Sequence, residues 1–409
     1  MDGFFRQHGS IVMIAVAETL VWAAFFYTFP ILLLEWEADL GWSRSEVVIG
    51  LTLALSVSAL SAPAAGRLID QGHGPRLFPI SAFGGGCLLL ALSLIESQIA
   101  FYAIWALIGL AMAGSFYEPC FAFLTRTRGR KTGRSGARGA ITLVTLVAGF
   151  ASTLCFPVAT ALTEAYGWRV TLQVFAVVVI VVAVPLFAIA AARLERESTA
   201  EAPHADRAAG AQAARRARAR PAFLLLAAAF PMVALSHGMT ISHLMPVLAD
   251  RGAAPALAVL AASLIGPAQV GGRMIMALSP PRLTATALAV GCFALMALAF
   301  AVIYLADGGA IQIIAFVMIF GAGYGIMSIV RPVLAAELLG QAGFGAISGA
   351  LALPYVACFA AAPFIASLIW RIGGYDLMLV VSGILALIGL GLVAAASRAA
   401  AIDPHRISG

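Results

Sequence analysis

The chain has 409 residues, of which 62% are hydrophobic and only 11% charged, and its mean hydropathy is +0.99. A soluble globular domain carries about a quarter of its residues charged, so this composition excludes a soluble enzyme or binding module and requires an integral membrane protein. The net charge of +6 would suit a nucleic-acid partner, unless topology accounts for where the basic residues stand.

An apolar helix needs about 20 residues to cross a bilayer and satisfies its own backbone there. Runs of that kind are expected at 11–34, 47–66, 77–95, 99–124, 139–162, 170–192, 222–248, 257–278, 284–306, 312–336, 345–368 and 377–397. The first reads as a span and not as a cleaved signal peptide, because the run after Ser10 is too long for an h-region and no small-x-small site follows it. Between the sixth and seventh runs, "ARLERESTAEAPHADRAAGAQAARRARARP" is rich in Ala, Arg, Glu and Pro and cannot bury a core. The expected organisation is therefore an all-α integral membrane protein: a six-helix bundle over 1–192, a cytoplasmic linker over 193–221 and a second six-helix bundle over 222–409. Six plus six helices around a long linker suggest two pseudo-symmetric bundles with a substrate path between them.

Of the 25 Lys and Arg residues, only Arg273 and Arg331 fall within the expected runs. If the N-terminus is cytoplasmic, nineteen of the others lie inside, and only Arg44, Arg169, Arg251 and Arg371 lie outside. This positive-inside bias puts both termini in the cytoplasm and the protein in the cytoplasmic (inner) membrane. It also disposes of nucleic acid as a partner, since "RRARAR" at 215–220 then reads as a topology signal. Cys87, Cys120, Cys155, Cys292 and Cys358 each stand alone in apolar runs and read as small, buried, reduced fillers.

Ionisable groups inside spans cost about 2.5–3.5 kcal/mol at a helix centre on insertion scales and usually face a cavity or a partner. Here they are Glu18, Glu118, His237, His243, Arg273 and Arg331. Their signs segregate: both carboxylates lie in the first bundle, and both arginines and both histidines in the second. Two compatible readings follow. In one, the arginines hold an anionic substrate, which a guanidinium fork grips bidentately, while Glu18, Glu118, His237 or His243 carries a proton. In the other, Glu–Arg pairs form a gate. Each residue also has a plainer reading: Arg273 snorkelling to the nearby interface, Arg331 pairing with Glu337, His243 hydrogen-bonded in packing. In "FYEPC", Pro119 frees a carbonyl beside Tyr117 and Glu118, which unwinds the helix locally and adds both to the substrate or gate candidates. "FGAGYG" (320–325) and "FGGG" (83–86) mimic nucleotide-binding glycines but lie in membrane helices, where glycine permits close packing. No hydrolase elbow, zincin or Walker A motif is present, so no enzymatic activity, no metal and no cofactor is expected, and a gradient must drive transport.

The segments "GRLIDQGHGPR" (66–76) and "GRMIMALSPPR" (272–282) follow the second and eighth runs, and each begins with Gly-Arg and ends with Pro-Arg. The first resembles the loop motif of the major facilitator superfamily, with Gly66, Leu68, Asp70, Gly74 and Arg76 in its places. That resemblance implies a twelve-helix fold working by alternating access, with Gly66, Asp70, Gly74 and Arg76 in a conformational-switch loop. It further implies that the helices carrying the six ionisable groups line a central cavity. "FPILLLEWEADLGWSRSEVVIG" (29–50), "RTRGRKTGRSGARGAITLVTLVAG" (126–149) and "FGAGYGIMSIVRPVLAAELLGQAGFGAISGALALP" (320–354) are similar to the monocarboxylate porters and the oxalate:formate antiporter group. In the porters an acid and an arginine stand one turn apart on the eighth helix, the arginine binding a carboxylate and the acid passing a proton. Here Gln269 and Arg273 fill those places, keeping the anion-binding group and losing the ionisable one. The expectation is a monomeric secondary transporter for a small mono- or dicarboxylate, proton-coupled. Efflux of an amphipathic metabolite or drug, and a transporter-like membrane sensor, remain as alternatives.

Overall fold

A computed structural model describes residues 2–198, 215–278, 284–340 and 344–402. Among them there is no strand, and ten helices are long and apolar enough to cross a membrane. Two of the ten, Gly139–Glu197 with 59 residues and Ile347–Ile402 with 56, are more than twice as long as a bilayer requires. Each leaves helical geometry at glycine: Gly167 with φ 80° and ψ 167°, and the Gly373, Gly374 pair, Gly374 having φ 66° and ψ −166°. Such backbone is open to glycine without steric penalty, so each long run is two spans and the described residues hold twelve. They are α1 (Gly9–Leu40), α2 (Arg44–Asp70), α3 (Gly74–Leu92), α4 (Gln98–Arg128), α5 and α6 (139–166 and 168–197), α7 (Pro221–Ser242), α8 (Pro255–Leu278), α9 (Ala285–Tyr304), α10 (Ala310–Leu339), and α11 and α12 (344–372 and 375–402). The chain divides into two compact units, Met1–Pro203 and His204–Gly409.

Several local features depart from the expected runs. α1 continues to Leu40 because it absorbs an extra residue in a π-helical turn at Ala23–Tyr27, where Thr28 N–H reaches back to the Ala23 carbonyl. The Cys155 thiol also donates to that carbonyl, at 3.3 Å. Helical hydrogen bonding runs from Tyr117 to Ala148, through the basic stretch expected to be a loop. α6 continues to Glu197, into the expected linker, where Glu195 pairs with Arg126 and Glu197 with Arg128 (3.9 Å). The rest of that linker, residues 199–214, and the Pro-Arg end of 272–282 lie outside the described residues. Cys87 is exposed, so it is not the buried filler expected, whereas Cys120, Cys155 and Cys292 are buried.

Glycine sets the closest helix pairs, as expected where no hydrophobic effect drives helices together in lipid. A Cβ on Gly109 would stand 2.9 Å from the Cα of Ala54, which ties α4 to α2. In the second unit a Cβ on Gly272 would stand 2.8 Å from Ala322 Cα, and one on Gly325 2.7 Å from Gln269 Cα, so α8 and α10 touch backbone to backbone. The core of the first unit is a herringbone of Phe29, Trp36, Phe101 and Trp105, with centroids 5.1–5.4 Å apart along the chain Trp105, Phe29, Trp36, Phe101. Leu60, Ile99, Ile311 and Ile372 are each at least 80% exposed, apolar surface of the kind a bilayer accommodates.

Each unit closes its first helix onto its last with the residues that follow the broken glycine. In the first, Trp168 Nε1 donates to Asp39 at 2.9 Å and Arg169 reaches the same carboxylate oxygen at 2.7 Å. In the second, Tyr375 hydroxyl meets His243 Nδ1 at 3.2 Å, and Asp376 pairs with Arg251 just beyond α7. The order glycine, aromatic, charge is the same, but the charge is reversed. Trp168→Phe deletes the buried donor and leaves Asp39 with Arg169 alone, so a loss of about 0.5–1.5 kcal/mol is expected, read as a lower melting temperature in detergent.

Candidate functional site

In the first unit the site is built around Glu18, one turn before Trp22 on α1. Glu18 is fully buried, and no hydrogen bond of ordinary length and angle reaches either carboxylate oxygen. The polar groups facing it are the Cys120 thiol, the Trp22 indole and the Glu118 carboxylate. Opposite, α4 breaks at Phe116, whose backbone is extended (φ −90°, ψ −172°). The cause is Pro119, which has no N–H for the Ser115 carbonyl and so ends the helix at Ser115. The break presents Phe116 to Trp22, stacked at 4.1 Å and 17°, and Tyr117 to the same indole at 4.8 Å. Sequence reasoning expected the unwinding and both Tyr117 and Glu118; it missed Trp22 and Cys120, which carry no charge to mark them.

In the second unit Gln269 and Arg273 are both buried on α8. Arg273 Nε donates to the Gly325 carbonyl at 3.4 Å, an oxygen that also accepts from Ser328 Oγ at 2.8 Å. The approach is open because Gly325 and Gly272 have no side chains between the two helices. Further along α10, Arg331 lies over the Tyr355 ring with its guanidinium carbon 3.8 Å from the centroid. Its Nη1 is buried and makes no hydrogen bond. Tyr355 and Tyr324 hydroxyls meet at 2.9 Å, and the Tyr324 ring stacks on His237 at 3.4 Å and 2°. One file thus runs from His237 on α7 through Tyr324 and Tyr355 to Arg331; sequence reasoning chose its two ends and missed the tyrosines. The pairing of Arg331 with Glu337 weighed from sequence is replaced by the tyrosine face.

His243 stands apart from this file. It occupies the step between α7 and the short helix Leu244–Asp250, and its Nε2 faces the Pro363 carbonyl at 3.1 Å while Nδ1 faces Tyr375. A carbonyl only accepts, so Nε2 carries the hydrogen and both ring nitrogens are occupied. In the expected switch segment α2 ends at Asp70, Gly72 turns the chain with φ 87°, and α3 begins at Gly74. A Cβ on Gly74 would meet the Phe123 ring at 2.6 Å, whereas one on Gly66 would meet nothing within 4 Å. Asp70 and Arg76 are exposed. Glu195, paired with Arg126, lies 3.5 Å from where a Cβ on Gly72 would stand.

No cluster of metal-ligating side chains occurs among the described residues. A family profile described as Major Facilitator Superfamily matches residues 14–353. The chain belongs to that superfamily. This facilitator is accordingly a multi-pass membrane transporter of the secondary type and not an enzyme. A bacterial homolog to the human lysosomal transporter Spinster, inward-facing and occupied, superposes with TM-score 0.70 at 15% identity, covering 97% of each chain. A variant of the nucleoside transporter NupG gives TM-score 0.69 at 12% identity, covering 95% of this chain and 98% of the other. The peptide transporter POT in complex with alafosfalin gives 0.72 at 15%, covering 97% and 96%. At such identities the likeness is one of fold, and it agrees with twelve helices in two six-helix bundles. No curated protein matches the facilitator in sequence.

Proposed function

We propose that this facilitator moves a small organic anion across the membrane by alternating access, driven by protons. The observation that carries the reading is Arg331: a permanently charged guanidinium held on a tyrosine face, with a buried N–H that no acceptor satisfies. A buried donor without a partner costs about 1–3 kcal/mol, a cost that a substrate carboxylate would remove by binding. Glu18, buried without a hydrogen bond of ordinary length and angle, is the corresponding proton carrier, with Glu118 beside it. Gln269 cannot ionise, and both nitrogens of His243 are occupied, so neither serves. Arg273, anchored to the Gly325 carbonyl, aligns α8 with α10 and adds positive charge to the same unit. The reading keeps the switch role for the segment from Gly66 to Arg76, both termini in the cytoplasm, a cytoplasmic linker that begins after Glu197 and a monomer in the bilayer.

Proteoliposome uptake of lactate, pyruvate, oxalate and benzoate, each under an imposed pH difference, tests it. Saturable, gradient-dependent uptake is expected, and Arg331→Gln should lower it by more than about tenfold, the effect of losing one charge-assisted hydrogen bond of about 1.5–3 kcal/mol. Absence of saturable flux for every carboxylate overturns the reading. Proton-driven flux of amphipathic cations instead would turn it toward efflux.

A further inference from the structure

We propose that the anion is an aromatic carboxylate, bound with its charge on Arg331 and its ring against the tyrosines beside it. This rests on the anion reading above and names the class of anion. Phe320, Tyr324 and Arg331 are spaced by four and seven residues, so α10 carries them along one stripe. Tyr355 on the next helix meets that stripe at Tyr324 and Arg331, and Phe359, four residues further on, approaches His237. His237 lies between, parallel within 16° to Phe320, Tyr324 and Phe359, with centroids at 5.1, 3.4 and 6.4 Å.

An aliphatic acid such as lactate needs donors and a charge, and nothing in its chemistry uses a file of parallel π faces. The two tyrosine hydroxyls share one hydrogen bond, which commits one O–H, and their rings carry the contacts to His237 and Arg331. Tyr324, Tyr355 and Arg331 all keep partial exposure, unlike the fully buried Phe320. The tyrosines and the guanidinium are therefore not sealed within the core. The first unit has its own separate aromatic cluster, in which Phe116 and Tyr117 stack on Trp22. A flat aromatic anion satisfies both demands at once, its carboxylate taking the guanidinium and its ring joining an offset stack.

Equilibrium binding to the purified full-length protein in detergent, with benzoate, phenylacetate, cyclohexanecarboxylate, lactate and oxalate as probes, tests this. Benzoate or phenylacetate should bind about tenfold tighter than cyclohexanecarboxylate, which has the same charge and bulk without a π face. Tyr355→Leu should erase that preference and Tyr355→Phe should keep it. Cyclohexanecarboxylate, lactate or oxalate binding as tightly as benzoate overturns the aromatic inference while leaving an organic anion as substrate. Absence of binding by every carboxylate overturns both readings. The wild-type ligand series decides even if Tyr355→Leu fails to fold.

Discussion

Glu18→Gln is expected to abolish uphill accumulation of substrate under a pH difference while exchange of substrate for substrate survives. Glutamine keeps the length and shape of the side chain, so Trp22, Phe116 and Cys120 around it have no reason to move. What it removes is the capacity to take up and release a proton at a buried point where no hydrogen bond of ordinary length and angle reaches either carboxylate oxygen. An ionisable group at such a place costs about 2.5–3.5 kcal/mol on insertion scales, and an amide or an apolar residue would be easier to insert. In proteoliposomes accumulation should fall by more than about tenfold, and counterflow should stay within about twofold of wild type, since exchange needs only the substrate-loaded conformational change. Glu18→Asp, which retains the exchangeable proton, should recover part of the accumulation. Undiminished accumulation by Glu18→Gln would remove Glu18 from the proton path and leave Glu118 as the candidate.

Gly325→Val is expected to be the most damaging single change in the second unit. Its Cβ would lie 2.7 Å from the Gln269 Cα, where the obstacle is backbone and cannot turn aside. α10 and α8 would have to separate, drawing the Gly325 carbonyl away from Arg273 Nε and disturbing the register of Gln269. Overpacking of this kind costs about 1–3 kcal/mol and more where backbone must shift. Lower yield in the membrane and a depressed melting temperature in detergent are the measurements. Gly291→Ala on α9 is the control, because a Cβ there meets nothing within 4 Å and alanine is the better helix former. Equal melting temperatures for the two variants would show that α8 and α10 are not locked at this contact.

The spans were legible because twenty-residue apolar runs have few other uses, and Pro119 announced the break at Phe116 by removing one N–H. The six embedded charges were equally visible, since each stands out against hydrocarbon. Their surroundings were not. Tyr324 and Tyr355 are thirty-one residues apart in sequence, and only the packing of α10 against the next helix joins their hydroxyls. The same holds for Cys120 facing Glu18. Glycine was ambiguous for a different reason: Gly66 and Gly74 look alike in a motif, but only Gly74 has a ring against it, and what a missing Cβ would strike is a property of the neighbour. The helical stretch through 126–138 escaped the expected spans because its charge density resembles a loop, while helix propensity depends little on that charge.

The reversed charges at the two helix closures bear on how the chain assembles as it enters the bilayer. α1 brings an aspartate to its partner and α7 is followed by an arginine, so each selects the opposite sign two residues past a glycine. If α1 docked on α12, Asp39 would meet Asp376; if α7 docked on α6, Arg251 would meet Arg169. Two halves built to one plan, synthesised one after the other in the same membrane, would otherwise offer each helix two similar places. The exchange of a single sign makes the like-charged contact the less favourable one, by a small margin at positions this exposed, which biases each half toward its own sixth helix without enforcing it.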